Sequence, residues 1–249
     1  MNFGLILIGD ELLNGYRQDK HLSAVIERLQ AKNLSLSWVK MIGDDHEMLV
    51  NTFKDSFSSD DVVFSFGGIG ATPDDLTRAC VAEACDVPLQ LHEEAQSLIE
   101  DQFGEASYPN RILMAELPKG ARLIPNSINQ IPGFSVKQHH FVPGFPNMAW
   151  PMIEWLLENE YSALSGEVVV LERRWFINGQ VESNLLPMMN ELLHLHQGVK
   201  LSSLPNTEKR HVIDFGIKGE KNMLENASRW LEDYFVKNNI DHVIQRKDI

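Results

Sequence analysis

Residues 61–77 read DVVFSFGGIGATPDDLT, an apolar run that leads into a glycine-rich loop and two aspartates. The run Asp61–Phe66 has the length and composition of a buried β-strand. Three glycines in four residues permit positive φ angles, so successive amides can turn inward and hold an anion. Thr72 and Pro73 are typical of a helix N-terminus, which would add unpaired amides. The segment predicts a strand, an anion-binding loop and a helix.

Strands and helices alternate through the first 165 residues. Predicted strands at Phe3–Ile8 and Leu34–Ile42 precede the one at Asp61–Phe66, and apolar residues repeat at helical spacing between them. This order indicates βαβ units, so we expect an α/β domain with a mainly parallel sheet and helices on both faces. Shorter strands and loops follow over residues 105–144, and a helix begins near Pro146.

The remaining residues, 166–249, predict a second and smaller domain. Its predicted strands and helical stripes follow the order β-α-β-β-α-β, which is the ferredoxin-like α+β arrangement, and the first strand is Glu167–Ile177. This part of the sequence has no glycine-rich loop and no carboxylate cluster. We therefore place the boundary between residues 165 and 166 and expect the second domain to support assembly or to close over a site in the first.

Aspartates follow the predicted strands of the first domain. Asp10 follows Gly9, Asp44 comes after the second strand, and Asp74 and Asp75 end the glycine loop. Because ligands of such sheets bind beyond the carboxyl ends of the strands, we expect these loops to share one site. Two carboxylates beside a phosphate repel it unless a cation lies between them, which favours a divalent metal. Helix capping by Asp75 accounts equally well for that residue.

Other motifs are less informative. The glycine loop lacks the Gly-Lys-Ser/Thr of a P-loop and does not complete the dinucleotide-binding Gly-x-Gly-x-x-Gly, so both of those sites are excluded. The Pro143-Gly144 turn can form a pocket wall or be a turn only. The pair His139-His140 and the pair His194 and His196 are not assigned to a metal.

The composition restricts the class of protein. The chain has 249 residues, 43% of them hydrophobic, and a formal net charge of −13, which disfavours binding to nucleic acid. The N-terminus has no basic region before its apolar run, and no segment is long enough to span a bilayer. Cys80 and Cys85 are predicted to be free thiols. We expect a cytoplasmic protein.

The ordered motifs around the three loops resemble a known family, the N-terminal domain of competence/damage-inducible protein A (CinA). The resemblance covers roughly residues 3–150, and the small domain that follows is also similar. Gly15–Lys20 is similar to the molybdopterin adenylyltransferases, which share the fold. The motifs that carry the resemblance are Ile8–Gly15, Gly43-Asp44-Asp45, Gly67–Thr77, Leu117–Ala121, Asn126, Pro132-Gly133-Phe134 and Pro143–Pro146.

The resemblance implies a molybdopterin-binding-type domain with a phosphate-bearing nucleotide or pterin as ligand. It assigns catalysis to Asp44 and Asp75, and a divalent cation (magnesium, manganese or cobalt) to Asp44, Asp74 and Asp75. Molybdopterin itself is a candidate ligand. The residues implied in ligand and phosphate binding are Gly9, Asp10, Gly67, Gly68, Gly70, Thr72, Thr77, Pro143 and Gly144.

This sequence departs from the family pattern at several positions. Ala71 replaces a proline, Lys20-His21 replaces Thr-Asn, Asn129 replaces a glycine and Asn147 replaces a glutamate. The pyridine-nucleotide amidohydrolase domain of longer relatives has no counterpart in this sequence, so we expect that activity to be absent.

Three functions fit these residues. The first is a metal-dependent pyrophosphatase acting on a nucleotide such as ADP-ribose or FAD. The alternatives are a protein that binds molybdopterin or a nucleotide without turnover, and an adenylyltransferase acting on molybdopterin. Trp150, Trp155 and Trp175 lie near the predicted domain junction, which suggests a homo-oligomer, most simply a dimer.

Overall fold

The chain divides into two units, Met1–Ser165 and Gly166–Ile249. The structure is a computed structural model that describes residues 2–164, 170–207, 209 and 211–245. Within these ranges no helix combines the length and the apolar composition needed to cross a membrane. Cys80 and Cys85 are both free thiols, as predicted.

A mixed sheet forms the centre of the N-terminal unit. The strands of this unit are, in chain order, β1 (Phe3–Ile8), β2 (Leu36–Ile42), β3 (Val62–Phe66), β4 (Leu89–Leu91), β5 (Glu116–Pro118), β6 (Arg122–Ile124), β7 (Gly133–Val136) and β8 (His139–Val142). In the described residues the central sheet has the order β2-β1-β3-β8-β7-β6, and β4 and β5 form a separate ribbon. β2, β1, β3 and β8 are parallel, and β7 and β6 are antiparallel additions. The predicted, mainly parallel sheet is confirmed.

Helices cover both faces of this sheet because β1 and β3 are apolar on both faces. The helices are α1 (Asp10–Leu13), α2 (His21–Ala31), α3 (His46–Phe57), α4 (Thr77–Ala84), α5 (Glu93–Phe103) and α6 (Pro146–Asn159). Ile6 packs in one buried cluster with Phe53 of α3 and Ile99 of α5. Its neighbour Leu5 points to the other face and packs in a cluster with Ile153 of α6. Alternate side chains of one strand thus anchor the two helical layers.

Two aspartates begin helices next to the predicted site. The Asp19 carboxylate accepts hydrogen bonds from the amides of His21 and Leu22 at 2.8 and 3.0 Å, at the start of α2. Asp45 accepts a hydrogen bond from the Met48 amide at 2.8 Å and caps α3. Each carboxylate satisfies backbone donors that the first turn of a helix leaves unpaired. Helix initiation therefore accounts for both acids.

The C-terminal unit has the predicted β-α-β-β-α-β order. Its elements are β9 (Val170–Asn178), α7 (Glu182–Leu195), β10 (Lys200–Pro205), β11 (Val212–Glu220), α8 (Lys221–Lys237) and β12 (His242–Gln245). The strands form an antiparallel sheet of order β10-β11-β9-β12. The first three residues of the predicted strand Glu167–Ile177 lie outside the described residues.

Trp175 belongs to the hydrophobic core of this unit. The sequence allows Trp175 to be a core or an interface residue, and the structure shows its side chain fully buried in a core that includes Phe215 and Phe235. The Trp175 and Phe235 rings meet edge to face with centroids 6.1 Å apart. The Trp175 ring therefore stabilises the fold of this unit, and the predicted homo-oligomer stays a prediction.

Candidate ligand-binding site

A cleft of about 660 Å³ opens at the carboxyl-terminal edge of the parallel strands. Loops that follow β1, β2, β3 and β8 form it, as the positions of the glycines and aspartates predict. Asp10 and Thr77 do not line the cleft but contact residues that do. The predicted site residues that line it are Gly9, Asp44, Gly67, Gly68, Gly70, Thr72, Asp74, Asp75, Pro143 and Gly144.

The glycine loop after β3 has a fixed conformation. Gly67 and Gly68 have φ angles of +101° and +68°, a region that side chains disfavour. The Gly67 amide donates to the Val142 carbonyl at 3.0 Å. Thr77 holds the loop from α4: its hydroxyl donates to the Gly67 carbonyl and its amide to the Gly68 carbonyl, each at 3.0 Å. Thr77, predicted to bind ligand, therefore positions the loop.

The amides of the following segment are available to a ligand. Among the described residues, no acceptor takes the backbone N–H groups of Gly68, Ile69, Gly70 or Ala71. All four residues line the cleft. Consecutive unpaired amides in a glycine-rich turn form a local positive potential that suits an anion. Anion binding by this loop stays a prediction, and the unpaired amides that it would use are those of residues 68–71.

The helix after this loop begins later than predicted. α4 starts at Thr77, whereas the sequence suggested Thr72 as its cap and Pro73 as its first residue. Instead Thr72–Asp75 form a turn, in which the Asp75 amide donates to the Thr72 carbonyl at 3.0 Å. The Asp75 carboxylate accepts the Thr72 amide at 3.0 Å and the Thr72 hydroxyl at 2.5 Å. Asp75 therefore closes a turn and is not part of a capping box.

Arg78 supports the loop from behind and was missed by the sequence analysis. Its buried guanidinium donates to the Gly70 carbonyl at 2.7 Å and to the Glu116 carbonyl at 2.9 Å. It also contacts the Leu113 carbonyl. The Gly70 carbonyl is 8 residues away, but the Leu113 and Glu116 carbonyls are 35 and 38 residues away. A charged residue on the inward face of a short helix is therefore the signal for this role in the sequence.

Asp10 and Asp44 form a reciprocal pair that joins two loops. The Asp10 amide donates to the Asp44 carboxylate at 3.0 Å, and the Asp44 amide donates to the Asp10 carboxylate at 3.2 Å. Burial raises the pKa of Asp44, and the negative charges of Asp10, Glu11 and Asp74 raise it further, whereas the hydrogen bond from Asp10 opposes the change. A positive charge near Asp44 would offset the repulsion from these three acids.

The predicted metal set is not assembled by the protein alone. In the described part of the chain, no three His, Cys, Asp or Glu side chains are grouped so that they could hold a metal ion. Asp44, Asp74 and Asp75 therefore line one cleft but do not form a complete coordination sphere. Any cation here would need ligands from water or from a bound molecule.

His21 holds the part of the cleft wall that Gly144 forms. The Trp150 indole donates to His21 Nδ1 at 3.3 Å, which leaves Nε2–H to donate to the Gly144 carbonyl at 3.2 Å. The imidazole packs on Phe66 with ring centroids 4.3 Å apart, and burial lowers its pKa. The departure from Thr-Asn at Lys20-His21 thus supplies a neutral ring that ties α2 to the loop after β8.

Asn129 similarly stabilises the part of the cleft wall that includes Asn126 and Ile131. Its side-chain oxygen accepts from Asn126 Nδ2 at 2.8 Å and from the Ile131 amide at 3.1 Å. Its Nδ2 lies 3.3 Å from the sulfur of Met148. The apolar lining residues of the cleft include its neighbours Ile131 and Met148 and the half-exposed ring of Phe145.

We expect Gly67→Ala to destabilise the protein more than Gly15→Ala. A Cβ on Gly67 would lie 2.5 Å from the Ile8 carbonyl oxygen, which belongs to β1 and cannot move away. Gly15 also has positive φ, +77°, but a Cβ there would meet nothing within 4 Å. Backbone strain alone should cost about 1–2 kcal/mol at Gly15, and strain plus overlap about 3 kcal/mol at Gly67. Urea unfolding followed by tryptophan fluorescence measures both; equal losses would contradict the close approach.

These features define an α/β domain with a ligand cleft at the carboxyl edge of a parallel sheet. The chain belongs to the family described as "Probable molybdopterin binding domain", whose sequence profile matches residues 4–163. The resemblance of the N-terminal unit to CinA is also confirmed by individual relatives.

Three relatives illustrate the match. A protein of Pyrobaculum aerophilum is 25% identical over 233 residues, 89% of this chain and 88% of that protein. A CinA-like protein of Anaeromyxobacter sp. is 35% identical over 136 residues, 53% of this chain but only 33% of the longer protein. The crystal structure of CinA from Thermoplasma acidophilum, described as of unknown function, superposes with a TM-score of 0.58 at 25% identity, covering 64% of this chain and 96% of that one.

Proposed function

We propose that the cleft binds a phosphate-bearing nucleotide or pterin and hydrolyses a pyrophosphate with the help of a divalent cation. The observation that carries this proposal is the row of unpaired amides at residues 68–71, four residues that line the same cleft as Asp44 and Asp75. Amides alone would suit any anion. Acids beside them suit a phosphate only when a cation accompanies it.

An incomplete set of protein ligands is compatible with magnesium. This ion is commonly held by one or two carboxylates together with substrate phosphates and waters, rather than by a cage of side chains. Asp44 and Asp75 are the residues that would hold it. The charges that surround Asp44 and raise its pKa would be relieved by a cation, which is the electrostatic support for its fit.

In this proposal the loop amides, Asp10 and Asp44 have separate roles. The amides of Gly68–Ala71 hold one phosphate, and Asp10 keeps the Asp44 carboxylate in place through the hydrogen bond at 3.0 Å. A bound divalent cation supplies charge neutralisation and a water of lowered pKa. Water adds to one phosphorus, the bond to the bridging oxygen breaks, and that oxygen leaves with the other phosphate. The products are two phosphate monoesters, and the two protons of the water are released when both monoesters ionise to dianions.

The family membership favours a second candidate, binding of molybdopterin without turnover. The matched family is named for molybdopterin binding, and nothing in the cleft requires a reaction to follow. Adenylyl transfer to molybdopterin is a third possibility that uses the same amides and acids. Turnover separates these functions, because hydrolysis gives two monoesters from one nucleotide and water.

The test measures hydrolysis of ADP-ribose and FAD by the complete chain with magnesium, manganese or cobalt, and with a chelator. Thermal shift with the same ligands measures binding, and a ligand at 100-fold its dissociation constant should stabilise by about 2.7 kcal/mol. We expect metal-dependent turnover. Stabilisation by ligand without turnover with any metal would contradict hydrolysis and support binding alone.

The domain boundary, the dimer and the cytoplasmic location stay predictions.

A further inference from the structure

A second compartment of about 440 Å³ adjoins the cleft. The two share a boundary formed by Ile8, Glu11, Arg17, Gly144 and Phe145. The second compartment has a floor of Phe66 and the neutral ring of His21. A molecule held by the glycine loop can therefore extend across the boundary into a separate, partly aromatic space.

The two compartments differ in charge. The cleft is lined by the acids Glu11, Asp44, Asp74 and Asp75, and Arg17 is the one basic side chain among its described lining residues. The second compartment adds a basic residue, Lys20, and a single further acid, Asp19. Because Asp19 is occupied by two helix amides at 2.8 and 3.0 Å, its charge is already compensated. In the second compartment the two acids, Glu11 and Asp19, are therefore matched by the two bases, Arg17 and Lys20.

Arg17 is available to a ligand. Its only ion pair in the described structure is with Glu11, with Nη1 and Oε1 3.7 Å apart, and the two side chains are 65% and 41% exposed. A pair at this distance and exposure contributes little stability, so exchanging it costs little. A guanidinium binds phosphate through two parallel hydrogen bonds, a stronger arrangement than the long contact with Glu11.

We propose that Arg17 binds a phosphate of the ligand directly, at the boundary of the two compartments, and that the group beyond this phosphate lies in the second compartment. The inference rests on the proposed ligand site and narrows its ligand class. The ligand would be a two-part molecule joined through a diphosphate, with one phosphate on the amides of residues 68–71 and the other on Arg17.

The test measures affinity, by calorimetry with a chelator and again with magnesium, for ADP-ribose, FAD and adenosine. We expect Arg17→Gln to weaken binding of ADP-ribose and FAD about tenfold and to leave adenosine unchanged, because a charged hydrogen-bond partner of phosphate is lost. Arg17→Lys should retain part of the affinity, since it keeps the charge but not the paired geometry. Lys54→Gln, on the exposed surface of α3, is the control for net charge and should change nothing.

The outcomes separate this inference from the proposed reaction. Loss of diphosphate affinity in Arg17→Gln supports the inference even if the wild type shows no turnover. Unchanged affinity for both diphosphates overturns it, even if hydrolysis is found. An equal loss for adenosine indicates a general structural effect and also overturns it, as does a wild type that binds neither diphosphate with the chelator or with magnesium.

Discussion

Replacement of Asp75 by asparagine is expected to lower metal-dependent turnover by about two to three orders of magnitude and to change the free energy of unfolding by less than about 1 kcal/mol. The side-chain oxygen of asparagine can still accept the Thr72 amide and hydroxyl, which now contact Asp75 at 3.0 and 2.5 Å. The turn is therefore preserved. The negative charge that would hold a cation is removed.

Asp45→Asn is the matched control for this experiment. Asp45 caps α3 through the Met48 amide at 2.8 Å and does not line the cleft. Asparagine is as good a cap as aspartate, so stability and turnover should both stay near wild type. Steady-state hydrolysis of ADP-ribose and urea unfolding measure the two quantities. If Asp75→Asn keeps wild-type turnover, Asp75 only closes the turn, and the catalytic assignment fails.

Acidification should destabilise the N-terminal unit because two neutral histidines are buried in β8. Burial lowers the pKa of His139 to about 4 and that of His140 to about 3, and the nearby cations Lys137 and Arg122 add to the respective shifts. In the unfolded chain both return to the ordinary value of 6.5. Below pH 6.5 the unfolded state thus binds more protons, so the free energy of unfolding falls as the pH falls, down to the folded pKa values.

The expected loss between pH 6.5 and about 4.5 is about 2–3 kcal/mol for each histidine. Urea unfolding at intervals of pH measures it. In His140→Gln, the loss of free energy of unfolding over this pH range should be smaller by the contribution of one histidine. Glutamine is polar but does not titrate. Phe141→Leu, also buried in β8, should lower stability without changing the slope. An unaltered slope in His140→Gln would show that carboxylates alone cause the acid sensitivity.

The sequence predicted that the site lies at the carboxyl edge of the parallel sheet. It did not predict the hydrogen bonds between distant residues that hold the site together. Asp10, Asp44 and Gly67 each follow an apolar run, and parallel strands bring such positions together whatever the details of the loops. The ties of His21 to Gly144 and of Arg78 to Glu116 span 123 and 38 residues. Neither periodicity nor local spacing carries information about contacts at such separations.

The loop after residue 70 shows a different limit. Thr72, Pro73 and Asp75 satisfy the composition of a helix start and also that of a turn, because both use an acid three positions after a threonine to accept its amide. The structure adopts the turn, with Asp75 also accepting the Thr72 hydroxyl. Only the later start of α4 at Thr77, fixed by its contacts with Gly67 and Gly68, distinguishes the two.

The mutual hydrogen bonds of Asp10 and Asp44 have a consequence for how this scaffold can change. Each residue provides both a donor and an acceptor to the other, at 3.0 and 3.2 Å, although 34 positions separate them. Replacement of one aspartate alone, by drift or by grafting from a relative, would leave the backbone amide of the other loop without its acceptor. The two loops should therefore be inherited together, and substitutions at positions 10 and 44 should covary among descendants of a common ancestor.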